Sequence, residues 1–216
     1  MTLEPPASPA DLPATVRLFP LGGAILLPRA VLPLNIFEPR YLAMVRDAMA
    51  SDQMIAMIQP RDTDADSPDL YAIGTTGRIT QYSETGDGRF LISLTGLVRF
   101  RLKAELPATT PYRQAEVDYG PHEADWAPAD PLAAASRAHL ESTLKSYLET
   151  QGLSADWDAV KSADDESLIN TLATVCPFSN AERQALLEAS GLPSRASTLT
   201  TLMQFASGEV GEGTLQ

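Results

Sequence analysis

The sequence predicts an α+β protein in which a β-rich amino-terminal part is followed by a bundle of helices. Three observations predict it. Residues 16–119 consist of short apolar runs broken by proline and glycine, a texture that suits strands and bends better than long helices. Residues 131–207 carry apolar side chains at intervals of three and four, the repeat of helices with one buried face. Between the two, GPHEADWAPADP is rich in proline and acid, and the periodicity changes across it. The expected organisation is a mobile lead-in over 1–13, a β-rich part over 14–119, a linker over 120–130, a helical part over 131–207 and a tail over 208–216.

Prolines 5, 6, 9 and 13 leave the lead-in little that can pack. VRLFPL, AILLP and VLPLNIF then read as short strands or sheet-edge segments. A helix opens at Glu38-Pro39-Arg40, where proline suits a first turn, and Tyr41, Leu42, Val45 and Met49 recur on one face. MIAMIQP (54–60) reads as a buried strand and RDTDADSPD (61–69) as a polar loop. Two long β segments follow, joined at Thr85-Gly86-Asp87-Gly88, where Asp-Gly between alternating runs predicts a tight hairpin. Gly74, Gly77 and Gly96 mark bulges or bends of the kind a small barrel needs to close, and 112–119 adds one more strand. In the helical part, Leu140, Leu144, Tyr147 and Leu148 line one face, and Leu168, Ile169, Leu172, Ala173 and Val175 line a second. Ser179 and Glu182 form a capping box for a third helix that buries Leu186 and Leu187 and stops at Gly191; Pro193 starts a last one carrying Ala196, Leu199, Leu202, Met203 and Ala206.

The chain has 216 residues, 44% of them hydrophobic, enough for the core of one large domain or two small ones. Its net charge of -12 repels phosphate backbones, so nucleic acid is not an expected partner. Glu4 and Asp11 stand where a secretion signal would be basic, and no apolar run approaches the ~18 residues of a membrane span. The single cysteine, Cys176, can form no internal disulfide, which makes the cytoplasm the expected compartment.

Catalytic and cofactor signatures are missing. None of Lys103, Lys145 and Lys161 follows a phosphate-cradling glycine loop, and the GxG of Gly86 and Gly88 lies in a polar hairpin, not between a strand and a helix. His122 and His139 belong to no metal-binding pattern, and the aspartates at 62, 64, 66 and 69 lack the glycine and glutamate of a calcium loop. No metal and no cofactor are expected. Cys176, at the end of an apolar helical face, reads as a small hydrophobe, although a cysteine hydrolase pairing it with a histidine is an alternative.

Two stretches resemble a known family. LFPLGGAILLPRAVLPLNIFEPRYLAMVRDAM (18–49) resembles the opening of the amino-terminal domain of Lon proteases, and GTTGRIT (74–80) with LTGLVRFRL (94–102) is similar to its later β part. Residues 170–203 are similar to that family's helical bundle. The resemblance implies a PUA-like pseudobarrel followed by a helical bundle, and it implies binding of unfolded or partner polypeptides, as a substrate-recognition or adaptor protein in protein quality control. Full Lon proteases continue into an ATPase module and a serine-lysine peptidase; this chain ends before either could begin, so a non-catalytic protein is expected. PUA-like barrels also include RNA readers, which leaves an RNA or small-molecule binder as an alternative. The residues matching the family's EPRY-like segment are Glu38, Arg40 and Tyr41, preceded by Phe37, and Arg99 matches an arginine in a later strand. On the functional reading Phe37 and Tyr41 anchor a ligand in a groove while Glu38 and Arg40 hold its polar groups; on the structural one Tyr41 is core and the arginines pair with acids.

Overall fold

Six strands form from the first half of the chain, β3 buried throughout and the others alternating over at least part of their length: β1 (Thr15–Pro20), β2 (Val31–Ile36), β3 (Met54–Pro60), β4 (Leu70–Glu84), β5 (Phe90–Glu105) and β6 (Gln114–Asp118). The structure is a computed structural model and describes residues 6, 8–61, 68–107 and 109–208. The chain separates into two units, Met1–Pro128 and Ala129–Gln216.

In the first unit the strand order is β2-β5-β4-β3-β1-β6, and β6 also pairs with β5. That second pairing closes β1, β3, β4, β5 and β6 into a ring and leaves β2 beside the first half of β5 alone. All pairings are antiparallel except β1 with β3. Val16, Leu18, Ala56, Ile58, Phe100, Ala115 and Val117 form one buried cluster of these ring strands. On the other face, Phe19, Ile55, Met57, Phe90, Ile92 and Leu94 pack with α1 (Pro39–Met49) through Tyr41, Met44, Val45 and Ala48. The buried helix face is thus Tyr41, Met44, Val45 and Ala48, with Leu42 and Met49 at its margin.

Glycine makes the ring possible where backbones or rings approach closely. A Cβ on Gly96 would lie 2.2 Å from the Leu27 carbonyl oxygen, and one on Gly74 would lie 2.5 Å from both the Met57 oxygen and the Phe100 ring. The β4–β5 register shifts between Thr76 and Gly77, so the bend falls where β5 leaves β2 and turns toward β6.

Several elements differ from expectation. AILLP forms no strand: Ile25, Leu26, Leu27 and Pro28 are buried where the segment crosses over Gly96. The Arg29 N–H donates to the Gly96 carbonyl, and the Gly96 N–H donates to Ala30. The hairpin is longer than a two-residue turn, since Gly88 N–H donates to Thr85 and Thr85 N–H to Arg89, and only Gly88, at φ 82°, is left-handed. Residues 8–13, expected to be idle, pack: Pro9–Asp11 is a 3₁₀ turn, and Leu12 is buried with Met54 and Val98. The segment 120–130 begins with a 3₁₀ helix, Gly120–Trp126, which packs against β5. Residues 1–5 and 7 of the lead-in, loop residues 62–67 and the tail from 209 lie outside the described residues.

The second unit holds α2 (Ala134–Thr150), α3 (Trp157–Ser162), α4 (Asp165–Val175), α5 (Asn180–Glu188) and α6 (Leu192–Ser207). α6 packs against α2, α4 and α5. The Ser179–Glu182 capping box is present, while Asp156 and Asp164 cap α3 and α4 through their carboxylates. α3 carries one buried residue, Val160, too few to leave a periodic signal. Gly191 precedes α6 instead of ending α5, whose C-cap is Ala189. Val175 is 67% exposed because α4 ends there, and the chain turns away under Arg183, which donates to the Thr174, Cys176 and Phe178 carbonyls.

Gly96→Ala is expected to cost about 1–3 kcal/mol or more in urea unfolding, because its methyl meets backbone that cannot move aside. Gly86→Ala, with nothing nearby and no left-handed φ, should change stability by less than about 0.5 kcal/mol.

Candidate functional site

The part of the sheet outside the ring, β2-β5-β4, has one face turned to the core and one turned out. Leu32, Leu34 and Ile36 of β2 lie opposite Leu94, Ile92 and Phe90 on the covered side. Their alternates, Val31, Pro33 and Asn35, stand beside Thr95, Ser93 and Leu91, which continue to Gln81 and Ser83 of β4. This outer face forms an open cleft of about 470 Å³ lined by residues 33–35, 81–83 and 91–93. None of these is charged, in a chain with 28 acidic residues. Leu91 is 47% exposed, and Val31 and Phe37 are each 60% exposed at the two ends of β2, which together make an apolar surface broken by amides and hydroxyls. Ser93 donates to the Gln81 amide oxygen at 2.9 Å, and the side chains of Asn35 and Ser83 make no hydrogen bond among the described residues.

Among the described residues β2 has a strand on one edge only. Gly96 N–H donates to Ala30, so alternation turns 32, 34 and 36 toward β5 and the backbone groups of 31, 33 and 35 toward the open edge. Pro33, with no N–H to offer, sits at an outward position, which blunts that edge against strand pairing.

Three of the five residues singled out by resemblance come together at the end of this face. Phe37 follows β2, with the Arg89 guanidinium 5.8 Å from its ring centre. Glu38 is the N-cap of α1 but leaves the helix amides alone and pairs with Arg40 at 2.8 Å, both side chains being exposed. Arg40 lies 4.5 Å above the Tyr41 ring. Tyr41 itself is core: it packs on Phe19 with ring centres 4.5 Å apart, and burial pushes its phenol up.

Arg99 belongs elsewhere. It is 3% exposed, and its guanidinium donates to both carboxylate oxygens of Asp125 at 2.7 and 2.8 Å, while its own N–H adds a third bond at 3.1 Å. Arg29 donates to the Asp125 carbonyl from the other side. Burial opposes ionisation of Asp125, but the Arg99 bonds outweigh it and hold the carboxyl below its ordinary value. His122 in the same 3₁₀ helix is held below the usual histidine range by burial and by Arg99. This cluster fastens the 120–126 segment to β5 and offers no exposed cation.

In the second unit, burial pushes the Cys176 thiol up to about 11, the opposite of what a nucleophile needs. Among the described residues no three His, Cys, Asp or Glu side chains are placed to hold a metal ion, and no helix is long and apolar enough to cross a membrane.

Residues 15–204 match the family described as the ATP-dependent protease La (LON) substrate-binding domain. The chain belongs to that family. Lon protease 2 of Myxococcus xanthus is 33% identical over 111 residues, covering 50% of this chain and 13% of its own length. Lon protease of Flavobacterium johnsoniae is 26% identical over 191 residues, covering 86% of this chain and 23% of its own. The chain therefore spans a quarter or less of these relatives. The crystal structure of a Lon N-terminal domain protein from Xanthomonas campestris superposes with a TM-score of 0.63 at 24% identity, covering 87% of this chain and 97% of that one, a likeness of fold.

For this LON substrate-binding domain, the sequence reading reached Phe37, Glu38 and Arg40 but missed the cleft beside them. A signal was present: Leu91 is an apolar residue out of phase with the inward Phe90, Ile92 and Leu94, and Val31 and Pro33 are out of phase with Leu32 and Leu34. Asp125 left no signal, because its partner is 26 residues away.

Asp125→Ala strands a buried guanidinium and should cost about 3–5 kcal/mol in denaturant unfolding. Because the folded pKa of Asp125 is depressed, its contribution is complete above the unfolded value of about 3.9 and is lost as pH falls through the lower folded value. His122, also depressed, takes its proton first in the unfolded chain, so stability already declines as pH drops below about 6.5. Stability measured against pH should lose the lower of these two declines in the Asp125→Ala variant.

Proposed function

We propose that the first unit binds segments of unfolded or partner polypeptide at the outer face of β2-β5-β4, without catalysis, as a substrate-recognition or adaptor protein of cytoplasmic protein quality control. The observation that carries this reading is the uncharged cleft itself. In a chain of net charge -12, the one face described that joins exposed Val31, Leu91 and Phe37 to free amide and hydroxyl groups is suited to apolar side chains and peptide bonds together. Glu38 and Arg40 stand at its Phe37 end as a neutral, exposed pair that a charged side chain of the ligand can open. Tyr41 and Arg99, buried against Phe19 and Asp125, lie outside the proposed contact surface.

Membership of a substrate-binding family supports the reading. The raised Cys176 thiol weighs against the cysteine-hydrolase alternative. An RNA reader would need cations along the cleft, and none of its lining residues is basic.

Fluorescence anisotropy with labelled, unfolded casein fragments tests it. Leu91→Ser and Phe37→Ser should each weaken binding about tenfold, as expected for losing an exposed apolar anchor, with melting temperatures unchanged. Wild-type affinity retained in both variants would remove the cleft from consideration. The purified chain should turn over neither ATP nor casein.

A further inference from the structure

On the outer face of β2-β5-β4, neighbouring polar side chains bond to one another. Ser93 donates to Gln81 at 2.9 Å, and the Thr80 and Thr95 hydroxyls lie 3.0 Å apart. Asn35 and Ser83 differ, since their side chains make no hydrogen bond among the described residues. Both flank Leu91. Asn35 on β2 and Ser83 on β4 are its register partners, so the three residues form one row across the face with the exposed leucine in the middle. Strand spacing sets the two polar ends of that row about 10 Å apart, the reach of about three extended residues.

Asn35 and Ser83 are exposed, so solvent hydrates them in the free protein. A ligand that packs on Leu91 strips that hydration from both, and a covered carboxamide or hydroxyl left without a partner offsets much of what the apolar contact contributes. A hydrocarbon chain has nothing to give them. An amide offers a donor and an acceptor together, which matches the needs of a carboxamide and of a hydroxyl. Resting on the reading that this cleft takes up polypeptide, we infer that Asn35 and Ser83 determine what covers Leu91, admitting apolar side chains only where unshielded amide groups adjoin them. Leu91 supplies affinity, and the two residues beside it supply selection for polypeptide over hydrocarbon.

Three fluorescein-labelled pools of short peptides test this by anisotropy. The first is random in Leu, Val and Phe with a common Gly-Ser tail. The second has the same side chains but esters in place of alternate main-chain amides, which removes N–H donors and weakens the carbonyl acceptors. The third adds Gln to the ester pool. Wild-type protein should bind the amide pool about tenfold more tightly than the ester pool. Affinity regained in the third pool assigns the recognised amides to side chains; affinity not regained assigns them to the main chain. The Asn35→Leu/Ser83→Ala double variant should bind the first two pools equally, whereas Ser83→Thr, which keeps the hydroxyl, should keep the preference. Leu91→Ser should weaken both pools alike. Equal binding of the amide and ester pools by wild type, or an amide preference that survives in the double variant, overturns the inference and leaves polypeptide binding standing. Failure of every pool to bind overturns both.

Discussion

Strand β5 has to serve two partners along one edge, β2 over its first residues and β6 over its last, while keeping β4 on the other edge throughout. A straight strand cannot do this, since β2 lies outside the ring and β6 inside it. The bend falls at Gly96, where the backbone of Leu27 presses so close that no side chain fits. Closure of the ring, burial of Phe100 within it and the free-standing β2-β5-β4 face all depend on that one close approach.

The candidate site is a by-product of the same geometry. The closed ring buries one face of its strands, and α1 covers part of the other; the overhang of β5, with β2 and the end of β4, keeps an uncovered outer face. Pro33 blunts its edge, so the surface is available for side-chain contacts while strand pairing is discouraged. The Arg99–Asp125 clasp serves the opposite end of β5, fastening the segment that leads out of the first unit. Two arginines in related strand-and-helix surroundings thus have opposite fates: Arg99 is fully committed to a buried carboxylate, and Arg46 stays exposed on an aromatic ring.

Much of this was legible in the amino-acid order. The seven-residue run MIAMIQP is buried throughout and could be read as a strand; the Ser179–Glu182 pair caps its helix; the helix at Pro39 buries a face offset only slightly from the one its spacing suggested. Each of these rests on interactions within a few residues. The AILLP segment and the short α3 were misread or missed because their burial comes from chain that lies far away in sequence, or from too few side chains to form a pattern.

What the sequence by itself determined was the fold class, the split between a β-rich and a helical part, and an acidic chain with no signature of catalysis, because composition and short-range periodicity are local properties. Tertiary structure alone decided which of the five singled-out residues face solvent. Tyr41 and Arg99 look as reactive in sequence as Phe37 and Arg40, yet the first is sealed against Phe19 and the second against Asp125. Burial is set by what packs on a residue from a distance, and no neighbour in the chain records it.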